Sequence, residues 1–330
     1  MFGYLKKTAK IVILSIVVVS LLVAAFLGFM AWRQGTLLQG KLVFAKSYDA
    51  GSKVNHITIT NKEGTIELEQ VEGYWRLPKY NGYYADFGVV KNFFDNLNSS
   101  AYLVKIPDGD KKLADFLLLN PLDNSENFGT GTLIQTYADD VLLDSVVVGM
   151  RDVEKGYFLA RHADSDNVWL VGGSYDFPLE VKMWLPSPIL EIPLSAVEML
   201  GVDGNLISRR MSIEDFHDRL GLSVNVSWLF HNLSSLDVYG VMPEDEFVAK
   251  YSDAKLAKIY DISTFYGLRF ELDLYKTEDN QAWLNIKLST DSIALSAIDD
   301  YIKDNLFLYE GWYFQISPRQ RDYLMGYTLL

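Results

Sequence analysis

A chain of 330 residues can form one large or two ordinary domains, and with 49% hydrophobic and 14% aromatic residues it has ample core material. The absence of cysteine excludes disulfide frameworks, thiolate metal sites, thiol nucleophiles and a lipid-attachment cysteine. A formal net charge of −13 opposes a phosphate backbone, so no nucleic-acid partner is expected.

After a basic stub at 1–10, residues 11–32 form a run of 22 positions with no charged side chain and only Ser15 and Ser20 as polar ones. As a helix the run spans about 33 Å at roughly 1.5 Å per residue, the thickness of a hydrocarbon core. Lys6, Lys7 and Lys10 precede it and no acid occurs in the first 32 residues, which puts the N-terminus in the cytoplasm and the remainder outside it. The run thus predicts an uncleaved transmembrane anchor in contact with the lipid bilayer. A cleaved secretory signal is the rival, although the run is long for one and Phe29 and Met30 crowd the small residues a cleavage site needs. A buried core helix is the third reading. Removing the three lysines leaves −16 for residues 33–330, a surface that repels anionic lipid headgroups and suits cationic partners or divalent ions, or solubility alone.

Residues 33–53 read as a stalk with one strand at Lys41–Ala45. Residues 54–60 and 65–69 alternate apolar and polar around a turn at 61–64, a hairpin that continues through Gly73 into Tyr74–Pro78. A Tyr/Gly-rich loop then leads to Asp86, an N-cap for a helix carrying Val89, Val90, Phe93, Phe94 and Leu97. Strands are predicted at 141–148, 157–161 and 167–171, and a helix over Tyr175–Leu185. Pro186, Pro188 and Pro193 mark the seam between a first lobe at 54–186 and a second at 187–330. The second lobe carries helical patterns at Ser212–Leu220, Pro243–Ile259 and Ile293–Asn305, and a hairpin of 268–275 with 281–288. A strand at 311–316 follows, then a helix from Ser317-Pro318 through Met325. Strands ending near Trp75, Trp169 and Trp312, each followed by a loop and helix, predict duplicated hairpin-helix units. The expected fold class is α+β: one transmembrane helix, then two lobes of antiparallel hairpins with packed helices.

Gly73-Tyr74-Trp75-Arg76-Leu77, Ala85-Asp86, Val146-Val147-Val148-Gly149, Asn167-Val168-Trp169-Leu170-Val171 and Gly311-Trp312-Tyr313-Phe314, behind one anchor helix, resemble the bacterial domain of unknown function 4340 family over most of residues 40–325. The resemblance implies an envelope protein of the bacterial inner membrane with a periplasmic domain, associated with ABC-type transport systems of the gliding-motility kind. It implies no catalytic residues. Ser223–Val241 reads as an insert relative to that family.

No chemical signature stands out. His56, His162, His217 and His231 form no HExxH or HxH pattern, and Glu214-x-x-His217 lacks the second such motif of a di-metal bundle. Phe128-Gly129-Thr130-Gly131-Thr132 lacks the basic residue of a phosphate loop and reads as a flexible turn. Asp108-Gly109-Asp110, Asp164-Ser165-Asp166 and Glu244-Asp245-Glu246 are oxygen-rich, but none completes a calcium loop. Neither metal nor cofactor is expected. Paired carboxylates assembled in space leave no local trace, so a hydrolase stays open as a third reading. Tyr80, Tyr83 and Tyr84 form the one loop expected to expose several rings as a binding surface. The leading expectation is a non-enzymatic accessory or scaffold protein that docks with a membrane protein or with itself. The alternative is a glycan- or peptide-binding domain.

Overall fold

The structure, a computed structural model, describes residues 38–329 except 108, 110–111, 124–127, 175, 191, 211–214 and 291–295, with 296–299 described by main chain alone. The expected anchor at 11–32 lies outside the described residues, among which no helix is long and apolar enough to cross a membrane. The first half runs α1 (Ala45–Ala50), β1 (His56–Asn61), β2 (Gly64–Val71), β3 (Tyr74–Leu77), β4 (Tyr83–Tyr84), α2 (Phe87–Ser99), β5 (Ala101–Lys105), β6 (Thr132–Ala138), β7 (Val141–Asp152), β8 (Tyr157–His162) and β9 (Trp169–Gly172). The second half begins β10 (Val197–Val202), β11 (Asn205–Ser208), β12 (Phe216–His217), β13 (Ser223–Val224), α3 (Ser227–Ser234) and β14 (Val238–Pro243). It ends α4 (Glu244–Lys250), β15 (Lys255–Thr264), β16 (Leu268–Lys276), β17 (Ala282–Thr290), α5 (Ser296–Asn305), β18 (Trp312–Ile316) and α6 (Pro318–Gly326).

The fold is α+β, with two antiparallel sheets of the same strand order: β4-β3-β2-β1-β6-β7-β8-β9-β5 and β13-β12-β11-β10-β15-β16-β17-β18-β14. Counted from its own first strand, each sheet reads 4-3-2-1-6-7-8-9-5. In each, a four-strand meander leaves through a helix (α2 or α3) to the far edge, and a second meander fills the gap. The repeated unit is therefore the whole nine-stranded sheet. Trp169 and Trp312 open the equivalent strands β9 and β18, whereas Trp75 lies in β3, whose counterpart is β12. Ser223–Val241 supplies β13, α3 and most of β14, which occupy the places of β4, α2 and β5.

Among the described residues, several predicted helices do not form. Over the described part of 175–185 there is a 3-10 turn at Val181–Trp184, where the Trp184 indole donates to the Pro178 carbonyl at 3.2 Å. Within 212–220, Asp218 accepts the amides of Leu220 and Leu222, both at 2.8 Å, and closes the β12–β13 hairpin. The pattern at 243–259 breaks at Tyr251 (ψ 51°), and from Lys255 the chain joins β15, paired with β10 and β16. At 41–45 only Leu42 makes a bridge, with Ala101, before α1 begins.

By contact density the chain divides into two compact units: residues up to 65 with 92–177, and 66–91 with 178–330. Residues 66–91, expected in the first lobe, are thus counted with the second unit. The core of the first unit includes Ile57, Ile59, Phe93, Ile134, Val146 and Val148, and that of the second Tyr260, Phe270, Leu272, Leu284 and Phe314. Residues 40–53, expected as stalk, are packed into the first unit, with Val43, Phe44 and Ser47 buried.

α1 is fastened by a buried polar clasp. Asp144 Oδ2 accepts both the Ser47 amide at 2.8 Å and its hydroxyl at 2.6 Å, while the Thr136 hydroxyl lies 2.5 Å from Ser47 Oγ. Thr136 and Asp144 face each other across β6 and β7. Removing the carboxylate would strand two buried donors. Asp144→Ala is expected to cost about 2–3 kcal/mol of the first unit's stability, read by denaturant unfolding of the detergent-solubilised full chain, and Ser47→Ala about half as much. Unchanged midpoints for both would refute the clasp.

Candidate functional site: an aromatic shelf in the second unit

Of the three loop tyrosines, the structure exposes none as a free ring. Tyr83 is fully buried: its hydroxyl donates to the Leu308 carbonyl at 2.9 Å, and its ring packs edge-on to Trp312 at 4.9 Å and Phe314 at 5.6 Å. Burial raises its pKa well above the ordinary value, with Tyr309 and Tyr84 adding to the effect. It is an anchor and cannot belong to a binding surface. Tyr80 is half-buried on the 3-10 turn Pro78–Tyr80, its pKa raised by burial against an opposing effect of Lys182.

Tyr84 is also half-buried, but it joins a partly open aromatic shelf. Its ring lies 4.5 Å from Phe307 and 5.5 Å from Tyr74, and Tyr74 is 5.0 Å from Phe307. The Arg76 guanidinium sits over the Tyr84 ring at 4.7 Å, with Glu72 at 3.6 Å and Nε buried without a partner. Tyr74 is 48% exposed, so the shelf presents ring surface beside a cation. Alternation in β3 puts Tyr74 and Arg76 on one face, and register pairs Arg76 with Tyr84. Such a surface can stack a sugar ring or an apolar side chain and pair a carboxylate. Phe307 lies over 220 positions along the chain and carries no local signal.

Among the other sequence candidates, His56, His162 and His231 have structural partners. His162 Nε2 is 2.6 Å from the Tyr102 hydroxyl, and His56 lies against the Tyr137 ring at 5.0 Å. His217 lies in β12, and His231 packs edge-on to Trp228. The acidic turn at 164–166 already has its cation: buried Arg161 donates to the carbonyls of Leu118, His162, Ala163 and Ser165 at 2.9–3.2 Å. Burial lowers the Arg161 pKa, and Asp166, Asp123 and Asp164 oppose that. Glu244, Asp245 and Glu246 occupy the first turn of α4. Asp108, Asp110 and Glu214 lie outside the described residues. Gly129 and Gly131 serve close packing: a Cβ at either would come within 2.6 Å of Ala114 or of the Leu117 carbonyl, and Leu119 exchanges backbone bonds with both.

A cleft of about 350 Å³ in the first unit is lined by Ile106, Leu113, Phe116 and Val168, with Lys112 and Asp166 at hand. Among the described residues it holds one cation and one carboxylate over an apolar floor. No family model matches the chain, nor does any curated protein or solved structure.

The second unit's tyrosines make an alkaline test. Burial, then Tyr275, Glu244 and Asp273, push Tyr313 up to about 12 from 10.0, and burial also raises Tyr83 and Tyr260. Above pH 10 the unfolded chain releases these protons while the folded chain keeps them, so stability falls as pH rises from 10 through about 12. Phenolate absorbance should lag behind that of a peptide with 20 tyrosines until the chain unfolds, and Tyr313→Phe should flatten part of the loss. Full titration of every tyrosine at its ordinary pH in the folded chain would contradict these assignments.

Proposed function

We propose that the chain is a membrane-anchored extracytoplasmic scaffold or accessory protein of the bacterial envelope, held through residues 11–32. It works with a membrane complex such as an ABC-type transporter and performs no catalysis of its own. The repetition of one nine-stranded sheet carries this reading. A module used twice offers two like surfaces for partners, and the buried Asp144 and Arg161 are engaged in holding strands and turns. The domain of unknown function 4340 resemblance points the same way.

The shelf of Tyr74, Tyr84 and Phe307 supports a second reading, a glycan- or peptide-binding domain. Full-length protein isolated from membranes in mild detergent is expected to carry integral transport subunits with it, and recovery as a lone monomer would overturn the scaffold reading. Titration of intrinsic fluorescence with envelope glycans and peptides tests the second. A saturable response lost in Tyr74→Ala would support it, and a flat response would eliminate it.

A further inference from the structure

The chain enters its first described residues along an exposed sheet edge. Gly40 N–H donates to the Tyr102 carbonyl at 2.7 Å, Tyr102 N–H donates to the Lys41 carbonyl at 3.0 Å, and Leu42 bridges Ala101 antiparallel. Leu38 to Lys41 form a turn, with Lys41 N–H donating to the Leu38 carbonyl at 2.9 Å, and β5 has no further strand beside Leu103–Lys105. Leu103 is 39% exposed and Val104 54%. Leu103 also lies over Gly172, and β5 is bulged between Tyr102 and Val104.

Two observations say what covers this edge. From Trp32 to Leu38 there are six Cα steps of at most about 3.6 Å, so the edge stays within roughly 20 Å of the end of the apolar run. Charge is the other. In a chain of net charge −13, the first acidic residue is Asp49, whereas Arg33, Lys41, Lys46 and Lys53 fall within 33–53. Lys41 is exposed beside the edge, Lys105 half-buried in it, and residues 96–107 contain no acid. We propose that this edge, with Leu103, Val104, Lys41 and Lys105, seats on the surface of an anionic lipid bilayer. The apolar pair enters the headgroup region and the lysines meet lipid phosphates. This rests on the anchor reading of 11–32 given above.

The absence of native cysteine allows a direct test. The full chain carrying Val104→Cys, labelled with a polarity-sensitive fluorophore, is placed in nanodiscs containing phosphatidylglycerol. Val153→Cys, a 73% exposed position of the same unit, is the control. The label at 104 is expected to shift to the blue and to be quenched by lipid-borne quenchers, and the label at 153 to remain solvent-like. Lys41→Gln and Lys105→Gln should each lower the ratio of seated to free edge about fivefold, as should neutral phosphatidylcholine in direction. A label at 104 as wet as that at 153 in anionic discs overturns the proposal. Extraction of the chain by alkaline carbonate would instead sink the anchor reading. A chain that resists carbonate yet shows a wet label refutes this inference alone.

Discussion

An open antiparallel sheet leaves the outer N–H and C=O groups of its two end strands without partners, and the rest of this structure depends on how those edges are closed. At β5, residues 40–43 bond back to Ser100 and Tyr102 and close that end of the edge, while Leu103–Lys105 stays open. At β14, the turns Pro78–Tyr80 and Val181–Trp184 lie against the strand, with Lys182 over the Tyr239 ring at 5.6 Å. The other two edges are kept very short: β4 and β13 have two residues each, and Tyr83 pins β4 through the Leu308 carbonyl. Sheets terminated in this way offer few places for unwanted pairing.

The two copies of the sheet differ where their connections do different work. Between β8 and β9 the chain turns in six residues, 163–168, around the Arg161 guanidinium. The equivalent connection between β17 and β18, 291–311, contains α5 and then Phe307 and Leu308, which meet Tyr84 and Tyr83. Strand order is thus kept while one connection has become a binding element for another part of the chain. The aromatic shelf depends on that difference. Its rings come from β3, β4 and a connection more than two hundred residues later.

What was readable in the sequence follows from how far each cause reaches along the chain. β1, β2, β3, β16, β17 and β18 alternate over several residues beside clear turns, and α2 carries its own cap, with Asp86 Oδ1 accepting from Val89 N–H at 2.8 Å. Ser317 likewise caps α6 by accepting from Gln320 N–H at 3.2 Å. By contrast β12 and β13 are too short to show a period, and their hairpin is made by the Asp218 carboxylate in a stretch whose apolar spacing reads as helix. The burial of Tyr83 was illegible for a different reason: a Tyr-rich loop looks open until its partners, Leu308, Trp312 and Phe314, arrive from far along the chain. Gly129 and Gly131 looked like a flexible turn because the residues that crowd them, Ala114 and Leu117, belong to a separate segment.

The segment read as a stalk has the largest consequence for the proposed anchor. A free linker over 33–53 would reach about 70 Å and would leave the domain's orientation unconstrained. Residues 40–53 are instead fastened twice, by backbone bonds to Ser100 and Tyr102 and by Ser47 to Asp144 and Thr136. What remains after the apolar run spans at most about 20 Å, which bounds how far the first unit can stand from that run. A buried carboxylate satisfied by a serine and bracketed by a threonine across two strands is costly to desolvate and contributes little net stability. Its value lies in fixing where α1 enters the sheet, and through that the direction from which the chain approaches β5.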